Sequence, residues 1–264
     1  MTHESSELLN LAIIAALEAG GLLERGFGTL FEISSKPGKH NLVTEYDKLS
    51  EKTIIETISK KFPSHSFLAE ESGASSPGGS VTWIIDPLDG TVNFAKTIPI
   101  FCVSIAACVN KEVICGVVYQ PITKELFFAE KGKGAFLNGK KLQVTKTTSL
   151  EDAFLSTGFP YNVDKNPLHC IEAFASIARL GSPIRRLGSA AIDLSYVASG
   201  RFDAFWEVVL EPWDIAAGKL FIEEAGGLVT RYDGTPVDPF TRGPVIAANA
   251  LIHKEISQRL MSQI

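Results

Sequence analysis

The chain has no CxxC pair, no block of basic residues and no unbroken apolar run of bilayer length, and each absence removes a class of function. The four cysteines, Cys102, Cys108, Cys115 and Cys170, are scattered, and three lie in apolar, strand-like runs. That usage fits small buried hydrophobes in a reducing compartment and argues against a disulfide frame or a thiolate zinc site. Lys and Arg number 25 against 30 Asp and Glu, a net charge of −5, so there is no electrostatic footprint for nucleic acid. The longest apolar stretches, 11–23 and 98–109, read as too short to span a bilayer. The opening MTHESSELLN is too polar and acidic for a secretory signal, which leaves a cytoplasmic expectation. Gly78-Gly79 and Gly132-x-Gly134 match neither a phosphate loop nor a dinucleotide fingerprint. The five histidines lie outside the acidic motifs, which argues against phosphoryl transfer through a histidine nucleophile.

What is present is an ordinary globular composition, 45% hydrophobic and 21% charged, on 264 residues. A chain of that size buries roughly 75% of its unfolded surface, so a full core needs no covalent staples. Apolar spacing predicts a helix over 7–24, with Ser5 or Ser6 as its cap, and a second over 48–60 ended by Pro63. Apolar runs at 66–69, 82–85, 103–109, 113–119 and 125–130 read as strands of a largely antiparallel sheet, with Asn138-Gly139 as a tight hairpin turn. The segment 72–80, SGASSPGGS, reads as a flexible loop bordering an acidic site. Beyond residue 145 the elements alternate. Strands are predicted at 154–157, 184–186, 202–207 and 245–248, and helices at 168–180, 189–198, 214–225 and 251–261. The organisation expected is an α+β domain over 1–145 carrying acidic motifs, followed by an α/β domain over 146–264 that completes the site.

Four acidic segments carry the chemistry. In WIIDPLDGTVNF, 83–94, a buried strand runs into Asp86, Pro87 is expected to stop the ladder, and Gly90 permits an unusual turn. Asp86 and Asp89 on such a turn can converge on one point, with the Thr91 hydroxyl and the following amides facing it. Hard divalent cations want this kind of oxygen ligand, although a turn whose aspartates merely cap amides gives the same spacing. FLAEES, 67–72, ends an apolar strand in Glu70 and Glu71, which alone reads as a solvated edge and gains interest only as a second strand-end carboxylate upstream of the first. EPWDIAAG, 211–218, places Asp214 at a helix start, where a carboxylate is favoured as a cap. LVTEYD, 42–47, opens the second helix, and a functional Asp47 has to meet Thr91 across the site.

Taken together, these segments resemble the inositol monophosphatase family. WIIDPLDGTVNF looks like its first signature, PWDIAAG followed by EEAGG looks like its second, and FLAEES and LVTEYD match its upstream acidic motifs in order and spacing. The resemblance implies a five-layered αβαβα sandwich, usually a homodimer, with magnesium-dependent, lithium-sensitive phosphatase activity on a small phosphorylated polyol. Carried over by residue, Glu70, Asp86 and the carbonyl of Leu88 hold one Mg2+, Asp86, Asp89 and Asp214 a second, and a third leans on Glu70. Asp47 and Thr91 match the pair that orients the attacking water, with Glu70 on the nucleophile side. Gly90 and Thr91 offer amides to the phosphate, and Arg185, Gly188, Ser189, Ala190, Glu207 and Asp214 stand on the substrate side. Val92-Asn93-Phe94 after DGT is closer to the inositol branch than to the nucleotide-directed one. Ser189 stands where some members carry Thr. Hydrolysis of fructose 1,6-bisphosphate, or a non-catalytic regulatory role on the same fold, are the alternatives that the resemblance leaves open.

Overall fold

The structure, a computed structural model, describes residues 2–35, 42–75 and 78–264. In chain order the elements are α1 (Thr2–Gly26), β1 (Ile33–Ser35), β2 (Leu42–Thr44), α2 (Glu45–Lys61), β3 (Ser66–Ala69), β4 (Gly73–Ser75), β5 (Val81–Asp89), α3 (Thr91–Ala95), β6 (Cys102–Val109), β7 (Glu112–Gln120), β8 (Glu125–Glu130), β9 (Gly134–Leu137) and β10 (Lys140–Lys141). There follow β11 (Leu155–Thr157), α4 (Cys170–Ala178), β12 (Ile184–Arg185), α5 (Ala190–Ala198), β13 (Ala204–Leu210), α6 (Pro212–Glu224), β14 (Gly227–Thr230), β15 (Gly243–Asn249) and α7 (His253–Met261).

Strands β3 to β10 form one sheet of eight, ordered β10-β9-β8-β7-β6-β5-β3-β4, antiparallel throughout except for the parallel pair β3–β5. Strands β11 to β15 form a mixed sheet of five, ordered β12-β11-β13-β15-β14. The alternation along β6 shows how the layers arise. Val103, Ile105 and Ala107 pack with α1 and α2, whereas Cys102, Ala106 and Cys108 pack on the opposite face with α5 and α6. A strand buried on both faces reads as a continuous apolar run because each face has a helical cover. Helices α5 and α6 are shared with the second sheet, since Ile192, Leu194 and Phe221 lie in one cluster with Phe205, Val245 and Ala247. On the outer face of that sheet, Ile177 of α4 and Ile256 and Leu260 of α7 cover Leu155, Trp206 and Ile246. The result is five layers, helix–sheet–helix–sheet–helix.

Several local expectations need correction. Ser5 and Ser6 do not cap α1 but lie within it, and their hydroxyls donate to Glu130 at the end of β8. The stretch 11–23 belongs to a helix that over Ser5–Gly26 is long and apolar enough, by length and composition, to cross a membrane. Its Leu8, Ala12, Ala15, Ala19 and Leu23 are instead buried against the sheet and α2, which accounts for that apolar content. Part of the predicted loop 72–80 is the strand β4, and residues 76 and 77 of it lie outside the described residues. The turn at Asn138 and Gly139, with φ of 49° and 82°, is the tight hairpin the dipeptide predicts. The cysteines are all buried and free.

Candidate active site and metal centre

The site is assembled where β5 ends. Pro87 does not terminate this strand, which continues to Asp89 through a register shift: Asp86 pairs with Ser104 and Asp89 with Cys102, so one extra residue is accommodated at the proline. A proline lacks the N–H for a ladder bond, and a bulge is where a strand tolerates it. The Pro87 carbonyl accepts from Ser50 Oγ of α2 at 2.7 Å, so the group freed by the bulge is satisfied. The consequence is that Asp86, Leu88 and Asp89 are presented from one short, rigid corner. Gly90 follows at φ 93°, and a side chain there would come within 2.8 Å of the Ile100 carbonyl oxygen. Only glycine suits both the left-handed backbone and that close approach. Gly90 precedes α3, which begins at Thr91.

Asp86, Asp89 and Asp214 each offer a carboxylate oxygen, and these oxygens lie within 4.8 Å of one another. Each is held by donors of its own. Asp86 Oδ1 accepts from the Leu88 N–H at 3.0 Å. Asp89 Oδ2 accepts from Ser189 Oγ at 2.6 Å and the Ala191 N–H at 2.7 Å, both at the start of α5. Asp214 Oδ2 accepts from the Glu211 N–H at 2.7 Å as part of a capping box at the start of α6. Glu70, immediately after β3, lines the same cavity. The capping and the convergent roles of Asp214 therefore coexist in one side chain.

The electrostatics of this corner ask for positive charge. Burial, and then Glu70, Asp89 and Asp214, push the Asp86 carboxyl well above the usual carboxylate range, against the Leu88 N–H. Burial and then Asp89 do the same to Asp214. Asp89 is also raised by burial, with the Ser189 hydroxyl and the Ala191 and Ala190 amides opposing. Buried carboxylates that repel one another are stabilised by a shared cation, and an all-oxygen donor set of this kind suits a hard divalent ion such as Mg2+.

Asp47 sits behind the site. It is fully buried, its Oδ2 accepts from the Thr44 N–H at 2.7 Å and the Thr44 hydroxyl at 2.6 Å, and its Oδ1 accepts from Thr91 Oγ1 at 2.9 Å. The Thr91 hydroxyl also lies 3.0 Å from the Leu88 carbonyl oxygen. Thr91 lines the cavity and Asp47 does not, so Asp47 reaches it only through that hydroxyl. Burial pushes the Asp47 carboxyl up to about 6, against the hydrogen bonds from Thr44 and Thr91. A carboxyl raised by folding contributes stability that is fully present below its ordinary value of 3.8 and is lost as pH rises through about 6. This group alone should remove up to about 3 kcal/mol from the metal-free protein across that window. Denaturant unfolding measured between pH 4 and pH 7 should show the decline, and Asp47→Asn should make it shallower, with the raised Asp86, Asp89 and Asp214 carboxyls supplying the rest. An equally steep decline in the variant would assign it to other groups.

The cavity measures about 910 Å³. Of the residues singled out by the sequence, Glu70, Asp86, Leu88, Asp89, Gly90, Thr91, Gly188, Ser189, Ala190, Glu207 and Asp214 all line it. Arg185 does not: its guanidinium lies 4.9 Å from the Phe154 ring centroid and its Nη1 donates to the Ile184 carbonyl. The cavity arginine is its neighbour Arg186. Adjacent residues leaving a strand point to different sides, so the choice between two consecutive arginines was not readable from spacing. The Ser189 hydroxyl, expected on the substrate side, is spent on Asp89 and on capping the Ile192 N–H. Glu207 is pushed up to about 8 by burial, with Arg186 opposing and Asp89 adding to the shift. Its carboxylate rests on Gly158, where an added Cβ would stand 1.8 Å from Oε2.

Sequence reasoning missed Gly158, Arg186, Asp193 and Arg242 in the cavity wall and Cys102 behind it, whose Sγ lies 3.8 Å from Asp89 Oδ2. For Asp193 a signal existed, because it falls four residues after Ser189 and so on the same helical face.

Comparison with known proteins is extensive. The model of the inositol monophosphatase family matches residues 4–264. The chain is 43% identical to an inositol-1-monophosphatase of Synechocystis over 96% of its own length and 88% of the relative's. It is 39% identical to the Nus factor SuhB of Escherichia coli, over 97% of each chain. The solved structure of the extragenic suppressor protein suhB from Bartonella henselae superposes with a TM-score of 0.92 at 39% identity, covering 98% of this chain and all of that one.

Proposed function

The chain belongs to the inositol monophosphatase family, and from that premise we propose that it is a Mg2+-dependent phosphomonoesterase that hydrolyses myo-inositol monophosphate to inositol and phosphate. The observation that supports this most is the convergence of Asp86, Asp89 and Asp214 on the cavity that Glu70 also lines. Glu70, Asp86 and the Leu88 carbonyl would hold one ion, Asp86, Asp89 and Asp214 a second, and a weaker third would lean on Glu70. When bound, Mg2+ supplies Lewis-acid stabilisation of phosphate charge and acidifies coordinated water.

The remaining work falls to the chain's own groups. Gly90 and Thr91 present amides at the start of α3, a position that favours anionic oxygens. Thr91 orients the attacking water through its hydroxyl, and Asp47, bonded to that hydroxyl, is the acceptor towards which the water's proton moves. Ser189 and the Ala191 amide keep Asp89 in place, and Glu207 receives hydroxyls of the polyol. The protein on this reading is a cytoplasmic homodimer.

Turnover of inositol 1-phosphate, fructose 1,6-bisphosphate and nucleotide phosphates, with Mg2+ and with or without lithium, tests the reading. Preference for inositol 1-phosphate, loss of turnover on chelation and inhibition by lithium are the expected results. Preference for fructose 1,6-bisphosphate would reassign the substrate. Failure to hydrolyse any phosphomonoester would leave the non-catalytic role, which the intact carboxylate set disfavours.

A further inference from the structure

Asp193 has no task in the mechanism, yet it is the most conspicuous unsatisfied group in the cavity wall. It belongs to the first turn of α5, among Ala191, Ile192, Leu194 and Val197, all buried and apolar. A carboxylate in a first turn ordinarily serves the free amides there. Here those amides are already taken: Ser189 Oγ accepts the Ile192 N–H and Asp89 accepts the Ala191 N–H. Asp193 is 1% exposed, and its Oδ1 has no hydrogen-bond partner among the described residues. Beside it on β11, the fully buried Ser156 hydroxyl lowers this carboxyl as a hydrogen-bonding neighbour, although the pair makes no bond of ordinary geometry. A native fold keeps few buried polar atoms so poorly satisfied without reason.

Asp193, unlike Ser156, lines the cavity that Glu207 also lines. Asp193 lines the same wall as Glu207 and Arg186, and all three act on one another electrostatically: Glu207 raises the Asp193 carboxyl and Arg186 lowers it, after the dominant effect of burial and the opposing effect of Ser156. Glu207 occupies the space that a side chain at Gly158 would fill, which sets the position of its carboxylate. The wall therefore carries two carboxyl groups beside a space larger than a phosphate requires. Neutral hydroxyls suit such a pair, since a hydroxyl donates to an ionised carboxyl and accepts from a protonated one. A polyol carrying hydroxyls on neighbouring carbons offers one to each.

We propose that Asp193 is a specificity-determining residue that, together with Glu207, receives hydroxyls of the bound polyol; this rests on the phosphatase reading above. The role differs from that of the metal-facing carboxylates, which would act on any phosphomonoester. It predicts that Asp193 discriminates between substrates by the part that leaves.

The test compares kcat/KM for inositol 1-phosphate with kcat/KM for p-nitrophenyl phosphate, which has no polyol hydroxyls, in the wild type, Asp193→Asn and Asp193→Leu, all with Mg2+. The ratio of the two constants should fall by about tenfold in Asp193→Leu, mostly through KM for inositol 1-phosphate, and by less in Asp193→Asn, which keeps an acceptor. A ratio within twofold of wild type in both variants, or an equal loss on both substrates, overturns the proposal and makes Asp193 structural. If Asp193→Leu does not fold, the isosteric Asp193→Asn decides by the same ratio, any fall of threefold or more supporting the role. Wild-type turnover of p-nitrophenyl phosphate without preference for inositol 1-phosphate overturns this inference and leaves a phosphatase. Turnover of neither substrate overturns both.

Discussion

Asp86→Asn is expected to lower kcat at least about a hundredfold while the metal-free protein melts higher than the wild type. The loss follows from the position of Asp86, the carboxylate that both ion sites share on the proposed reading. Groups that merely support metal ligands cost 10–100-fold when removed, and a shared ligand should cost no less. The gain in melting temperature follows from its surroundings. Asp86 is 2% exposed and is pressed by Glu70, Asp89 and Asp214, so without a cation its charge is a liability. Asparagine keeps the shape and can still accept the Leu88 N–H, and it removes the charge. Relief of even about 1 kcal/mol corresponds to roughly 2–4 °C in a chain of this size. Added Mg2+ should raise the melting temperature of the wild type and leave the variant nearly unmoved. Near-normal turnover, or a metal-free variant that melts lower than the wild type, would sink the assignment of Asp86 as a shared ligand.

Gly90→Ala should be strongly destabilising for a single added methyl. Two penalties add. The left-handed conformation costs an L-residue about 1–2 kcal/mol. The new Cβ would also press on the Ile100 carbonyl oxygen at 2.8 Å and on Phe101 at 3.2 Å, both backbone atoms that cannot swing aside. A total of about 2–4 kcal/mol places the melting temperature roughly 5–15 °C below wild type. Activity should fall further than stability, because any relief moves the start of α3 and with it Thr91, whose hydroxyl must keep its bond to Asp47. Scanning calorimetry and kinetics in Mg2+ check both parts. A shift under about 2 °C would show that the Ile100 segment yields easily and that glycine is not required there.

Much of this candidate site could be read from the chain because its carboxylates lie at the ends of strongly patterned elements. Trp83, Ile84 and Ile85 announce a buried strand, and Asp86 and Asp89 follow within one corner. The ambiguity at Asp47 and Asp214 was genuine in physical terms, since each is both the third residue of a capping box and a member of the site. What the chain could not show was contact between distant segments. Nothing near Asp89 foretells that its carboxylate is held by Ser189, one hundred residues later, or that Glu207 rests on Gly158. Pro87 reads as a strand end because propensity sees the missing N–H and not the bulge that accommodates it. The strand β14 was missed because Gly226-Gly227 reads as a helix stop, and only pairing with β15 extends the chain that follows. Arg186 was missed because neighbouring arginines are told apart by direction, which spacing does not carry.

The bond from Ser189 to Asp89 has a consequence for biosynthesis. A ribosome that has made the first 180 residues has made Glu70, Asp86 and Asp89, yet the groups that fix Asp89 and the carboxylate of Asp214 are still to come. The emerging polypeptide therefore carries acidic side chains whose cluster is complete only when α5 and α6 have settled between the two sheets. On the proposed reading, truncated or half-assembled chains stay inert, and a bound ion marks finished molecules.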